Sequence, residues 1–120
     1  MFKDNKHIGN YGEDLATKFL QSKNHLILER NFRTARGEID IISKIEDILI
    51  FTEVKTRYNK NYGFPSESIN YFKVITIKFI ASYFIQKKKL YNLNIRFDVI
   101  EIYLNYYDEN YRVNHIENAF

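Results

Sequence analysis

The sequence predicts an α/β fold of three layers, a central mixed sheet with a helix on each face, and two observations carry the prediction. Helical and strand-like patterns follow one another in the order αβββαβ, with room for one further strand. The stretch Ile95 to Leu104 is apolar at nearly every position, as a strand covered on both faces requires. A chain of 120 residues, 45% hydrophobic and 28% charged, reads as one globular domain spanning 1–120 and excludes a disordered or fibrous protein.

Each element has its own signal. From Asn10 to Lys23 the apolar residues Tyr11, Leu15, Ala16, Phe19 and Leu20 recur at three- and four-residue spacing, which predicts an amphipathic helix ending near Asn24. Leu26 to Phe32, Arg36 to Lys44 and Ile48 to Arg57 are rich in Ile, Leu, Phe, Val and Thr and read as three consecutive strands, with Glu46-Asp47 as a hairpin tip. The single proline, Pro65, marks a loop over Tyr58 to Ser66. Ser66 or Ser68 then caps a long second helix running to about Lys89, whose three closing lysines complement the helix dipole. Ile95 to Leu104 is the buried strand, and Tyr111 to Ile116 a weaker last one.

Composition narrows the function. Eighteen Lys and Arg against fifteen Asp and Glu give a net charge of +3, a mild preference for anionic partners. With no cysteine there is no disulfide, thiolate metal site or Cys nucleophile, in keeping with a cytoplasmic protein, and carboxylates and histidines must supply any metal ligands. The N-terminus shows no signal-peptide pattern, and Asn70, Lys73 and Lys78 interrupt the apolar run Ile69 to Ile85, so no membrane partner is expected. His7, His25 and His115 show no metal-ligand spacing and are left out of the site.

The informative segment is Gly37-Glu38-Ile39-Asp40-Ile41-Ile42 followed by Glu53-Val54-Lys55, where charges interrupt apolar strands. Strand alternation places Glu38, Asp40 and Ile42 on one face of the second strand and Phe51, Glu53 and Lys55 on one face of the third. With an even hairpin loop, residues whose numbers sum to 93 lie opposite, so Asp40 faces Glu53, and Glu38 faces and orients Lys55. An odd loop would send the two carboxylates to opposite faces. Like charges directly opposed destabilise a sheet unless neutralised. A divalent cation does this naturally, because Mg²⁺ or Mn²⁺ takes one or two carboxylates and leaves its other positions to water and phosphate. Lys55 can then hold an attacking water and stabilise charge developing on phosphate. Glu13, at the edge of the first helix's apolar face, is a further metal-ligand candidate.

The run Gly12-Glu13, Arg30-Asn31-Phe32-Arg33, Gly37-Glu38-Ile39-Asp40-Ile41-Ile42, Phe51-Thr52-Glu53-Val54-Lys55-Thr56-Arg57, Tyr62-Gly63-Phe64-Pro65, Lys73 and Arg96-Phe97-Asp98-Val99 resembles the YraN-like family of small bacterial proteins. That family is similar to archaeal Holliday junction resolvases within the restriction-endonuclease-like PD-(D/E)xK superfamily. The resemblance implies that fold and a Mg²⁺- or Mn²⁺-dependent endonuclease acting on DNA, branched or junction DNA included, with RNA processing as a second alternative. By position it implies Asp40, Glu53 and Lys55 as the catalytic residues and Glu13 as the first-helix acid. Ile39 stands where the motif's name has proline.

Arg30, Arg33, Arg36 and Arg57 flank the acidic cluster and are the expected phosphate contacts. Lys73 lies on the stripe of Ile69, Ile77 and Ile80 and reaches either toward the site or, the favoured reading, to solvent. Tyr58, Tyr62 and Phe64, interleaved with Lys60, offer stacking surfaces. The apolar second helix leaves surface that a second copy could cover, making a homodimer. The competing class is a non-catalytic nucleic-acid-binding or protein-interaction module that retains the nuclease fold.

Overall fold

The computed structural model describes residues 5–58 and 70–120. The first helix, α1, runs over Asn5–Ser22, five residues earlier than its apolar periodicity indicates, because Ile8 packs on the same face as Leu15, Ala16 and Leu20. It ends as expected: Asn24 adopts a left-handed conformation (φ 71°) and the His25 N–H closes back on the Leu20 carbonyl at 3.0 Å. Three antiparallel strands follow, β1 (Leu26–Thr34), β2 (Gly37–Ile45) and β3 (Ile48–Tyr58). Helix α2 (Tyr71–Lys88) crosses over to β4 (Asn94–Leu104), which lies parallel to β3, and β5 (Tyr111–Ile116) closes the sheet antiparallel to β4. The sheet order is β1-β2-β3-β4-β5.

Helix α2 starts later than the serines indicate. Its N-cap is Asn70, whose side chain accepts the Lys73 N–H at 2.9 Å, and Ser66 and Ser68 lie outside the described residues. At the other end Lys89 takes a left-handed conformation, with Lys87 and Lys88 in the last turn.

The two faces of the sheet carry separate cores, which makes the three layers. Ile77, Ile80, Ala81 and Phe84 of α2 pack on Phe32, Ile39, Ile42, Leu49 and Phe51. Leu15, Ala16 and Leu20 of α1 pack on Ile41, Ile100, Ile102 and Leu104. From Asp98 to Leu104, β4 is buried at every residue, Asp98 and Glu101 included, whereas Ile95, expected in the buried run, is 48% exposed. This α/β arrangement of a five-stranded mixed sheet between two helices is consistent with a restriction-endonuclease-like fold. Among the described residues no helix is long and apolar enough to cross a membrane.

One glycine sets how closely α1 approaches the sheet. A Cβ at Gly12 would overlap the Thr56 hydroxyl and sit 2.8 Å and 2.9 Å from the Thr56 Cβ and Cγ2. The backbone of α1 therefore lies directly on β3, one residue before Glu13. Gly12→Ala is expected to cost about 2 kcal/mol by overpacking, measured by urea unfolding. The same substitution in a Thr56→Gly background should restore most of the loss, and equal losses in both backgrounds would show that the clash is not the cause.

Candidate metal and phosphate site

The hairpin from β2 to β3 has the expected even turn. Pairing runs from Ile45↔Ile48 to Ile41↔Thr52, each pair summing to 93. Asp40 and Glu53 are the next step, and there the ladder opens: the Asp40 Oδ2 accepts the Val54 N–H at 2.8 Å, a side chain standing where a strand carbonyl would stand. The opening coincides with a break in alternation. Ile41 faces α1, yet both Ile42 and Ile39 face α2, so β2 turns over at Asp40. On β1 the matching irregularity falls at Asn31, held at φ 52° between the pairs Arg30↔Ile41 and Phe32↔Ile39. The expectation that Glu38, Asp40 and Ile42 share one face is corrected by this turnover, and the reason is local: a left-handed residue opposite a carboxylate resets the pleat. Glu38 is consequently paired with Arg33, its cross-strand neighbour on β1, at 2.9 Å, and not with Lys55.

The β3 half of the site follows the alternation. Glu53 and Lys55 share the α2 face with Phe51, and Glu53 is only 3% exposed. Its Oε2 meets the Lys73 Nζ at 3.2 Å, while its Oε1 is buried with no hydrogen-bond partner. Lys73 thus reaches the site with its tip while its side chain stays 42% exposed. Burial raises the Glu53 carboxyl from its ordinary 4.5 to about 7, with the Asp40 charge adding to the rise and Lys73 and Lys55 opposing it. Burial likewise raises Asp40, against the Val54 N–H that favours its ionised form, and Glu38 adds to the rise.

Glu13 reaches the same region from α1. Its pKa is raised by burial and then by Asp40, so Asp40 is the charge common to both glutamates. The Glu13 Oε1 is buried without a hydrogen bond, 3.6 Å from Arg30 Nη2. Arg30 lies closer to Asp14, at 2.9 Å. Three carboxylates from three elements are therefore electrostatically linked through Asp40, with Asn31 and Arg30 opposing the rise at Glu13. Among the described residues no three of His, Asp and Glu stand at cage spacing for a metal ion. A hard divalent cation such as Mg²⁺ is commonly held by only two carboxylates, with water completing its shell. Asp40 and Glu53 fit that role.

The remaining expected residues fall on the rim. Arg33 is exposed but committed to Glu38, Arg36 lies with its guanidinium 4.2 Å from the Phe79 ring centre, and Arg57 stands in register with Tyr103 of β4. Tyr58 packs on Tyr106, with ring centres 5.3 Å apart, and Lys60, Tyr62 and Phe64 lie outside the described residues. The model of the uncharacterised protein family UPF0102 matches residues 12–102, a stretch holding Glu13, Asp40, Glu53, Lys55 and Lys73 together.

The chain belongs to family UPF0102. UPF0102 proteins from Clostridium beijerinckii and from Clostridium botulinum strain Alaska E43 are 51% and 52% identical to it over the whole chain, which covers 98% of each. A UPF0102 protein of Clostridioides difficile is 50% identical over 98% of the chain and 99% of its own length. This membership bears out the YraN-like resemblance read from the motifs.

This UPF0102 chain also holds a polar cluster that the sequence reading passed over. Asp98, fully buried on β4, accepts two hydrogen bonds from Arg96, one from His115 Nε2 at 2.8 Å and one from the Asn118 N–H at 3.0 Å. Burial works against its charge, but these donors outweigh it and hold the carboxyl below its ordinary value. His115 and His25 come together across the sheet, with ring centres 6.4 Å apart. The only sequence signal was Arg96 two residues before Asp98 on one strand. The cluster pins the C-terminal segment, since the Ala119 N–H also bonds the Phe97 carbonyl and Phe120 stacks on Phe97. Its charges are matched within itself, unlike those around Asp40.

Proposed function

We propose that this UPF0102 protein is a divalent-metal-dependent nuclease that hydrolyses phosphodiester bonds in DNA, branched DNA included. The observation that carries the reading is the opening of the β2–β3 ladder, where Asp40 and the buried Glu53 stand side by side with an unsatisfied Glu53 oxygen. Mg²⁺ or Mn²⁺ bound there would supply Lewis-acid polarisation of a phosphate. Asp40 and Glu53 would hold the ion, with Glu13 behind them.

The chain's own groups do the rest. Lys55 projects from the same strand face as Glu53, where its ammonium can donate to a phosphate oxygen and stabilise the charge that builds there. The same ammonium can hold the attacking water, the second role its place on that face allows. Lys73 holds the Glu53 carboxylate through Oε2, while Oε1 is buried with no hydrogen-bond partner. Arg36 and Arg57 at the rim offset the repulsion between DNA phosphates and the carboxylates.

The test is cleavage of labelled duplex, single-stranded, flap and four-way-junction DNA with Mg²⁺ or Mn²⁺ by the full chain and by Asp40→Asn and Lys55→Ala. Cleavage lost in both variants supports the reading, and cleavage surviving in both belongs to a contaminant. One observation favours a second reading, a binding module without turnover: the Lys73 ammonium already neutralises Glu53 in part. That module would bind DNA with no site-dependent cleavage.

A further inference from the structure

A cleft of about 420 Å³ opens between the β1–β2 turn and the outer flank of α2. Three cations, Arg33, Arg36 and Lys87, and three aromatic residues, Phe32, Phe79 and Tyr83, line it, and no carboxylate does. Phe79 and Tyr83 are 45% and 46% exposed, so two large rings stand half in water beside positive charge.

The rings are held in place. Tyr83 lies nearly parallel to Phe32, 28° apart with centres 6.2 Å apart, and Phe32 is itself packed edge-on against the buried Phe84. Tyr83 is therefore a plate backed by the core. Phe79 carries the Arg36 guanidinium at 4.2 Å, and the Lys87 ammonium lies 6.0 Å from the Phe32 ring. Arg33 is engaged with Glu38, which leaves Arg36 and Lys87 as the cations whose cleft contacts are to rings.

Unstacked bases lie on aromatic and guanidinium planes, while neighbouring cations take the flanking phosphates. The cleft joins those two features, and the carboxylate that touches its lining, Glu38, is neutralised by its pair with Arg33 at 2.9 Å. Its position joins it to the site described above. Lys73, which reaches Glu53, is in the first turn of α2, and Phe79 and Tyr83 lie about 9 and 15 Å further along the same helix at 1.5 Å per residue. The other wall leads directly into β2, which carries Asp40. A strand with a phosphate at Asp40 and Glu53 meets the cleft within a few nucleotides.

We infer that this cleft is a single-strand subsite, which takes unpaired DNA nucleotides with their bases on Tyr83 and on the Phe79–Arg36 pair and their phosphates at Arg36 and Lys87. The inference rests on the reading of the acidic site as a DNA-cleaving one and specifies its substrate as DNA with an unpaired stretch beside the scissile bond.

The experiment measures binding by fluorescence anisotropy with the full chain in chelator, so that no cleavage occurs. The probes are a short labelled thymidine strand, an abasic strand of equal length, and an oligoglutamate peptide as competitor. The wild-type chain is expected to bind the thymidine strand about tenfold more tightly than the abasic one. Phe79→Ala should bring the thymidine strand down to the abasic level and leave the abasic strand unchanged, and Tyr83→Phe should keep the preference. Equal binding of both strands by the wild-type chain overturns the subsite without relying on any variant. So does displacement of the thymidine strand by oligoglutamate, which would make the cleft an acidic-peptide site. Base-dependent binding without metal-dependent cleavage would refute the nuclease and keep the subsite, and cleavage without base-dependent binding would do the reverse.

Discussion

Asp40→Asn is expected to lower the affinity for Mn²⁺ by at least about a hundredfold, and DNA cleavage with it, while the fold stays intact. Loss of even an outer-shell partner of a metal ligand commonly costs on the order of ten- to a hundredfold, so loss of a ligand sets that as a floor. The fold survives because the asparagine oxygen can still accept the Val54 N–H, the bond that holds β2 against β3 where the ladder opens. The substitution also removes the charge that pushes up both Glu13 and Glu53. Metal-free Asp40→Asn should then unfold in urea at pH 8 no earlier than the parent chain. Lys55→Ala separates binding from chemistry: Mn²⁺ affinity should hold while turnover falls roughly a hundred- to a thousandfold, the usual cost of losing one charge-stabilising donor. Calorimetric titration with Mn²⁺ beside the cleavage assay checks both, and unchanged Mn²⁺ affinity in Asp40→Asn would sink the metal reading.

What was legible in the sequence was whatever depends on local pattern. The Glu46-Asp47 turn set the register of the hairpin, and register brought Asp40 beside Glu53. The apolar run from Ile95 placed β4 inside the sheet, where β3 and β5 flank it. The turnover of β2 at Asp40 was not legible, because it depends on Asn31 adopting a left-handed conformation on another strand, and asparagine takes that conformation in some settings and not in others. Lys73 was seen as a stripe residue but its direction was not, since that depends on where α2 begins and how it crosses β3, and Asn70 rather than a serine fixes the beginning. The Asp98 cluster was hidden for a similar reason. His115 is far along the chain and reaches Asp98 only because β5 folds back on β4. The aromatic cleft combines a turn with a helix flank, and neither half alone distinguishes Phe79 or Tyr83 from ordinary exposed residues.

The metal-free chain should lose stability as pH rises from about 5 to about 8, and Glu53 is the main cause. A carboxyl ordinarily near 4.5 that titrates at about 7 when folded binds its proton more tightly in the native state than in the unfolded one. The native state then carries more bound protons between those two values, so unfolding becomes easier with every step upward in pH. Its stabilisation is complete below the unfolded value and is gone once the folded value is passed. At 1.36 kcal/mol per pH unit the change is on the order of 3 kcal/mol, and Glu53 is too well buried for solvent to screen much of it. His25 acts in the opposite sense, since burial lowers its pKa from the ordinary 6.5 and its contribution is lost as pH falls, so the two slopes overlap below 6.5. Comparison with Glu53→Gln isolates the Glu53 part: the variant should lose that slope and keep those of His25, Asp40 and Glu13. Adding Mg²⁺ or Mn²⁺ at pH 8 should restore stability to the parent chain and not to Glu53→Gln, because the ion takes the place of the proton between Glu53 and Asp40. Urea unfolding at pH 5, 6.5 and 8, with and without metal, gives all of these values. A parent chain whose stability does not fall across that range would show that the two carboxylates are matched by Lys73 and Lys55 alone.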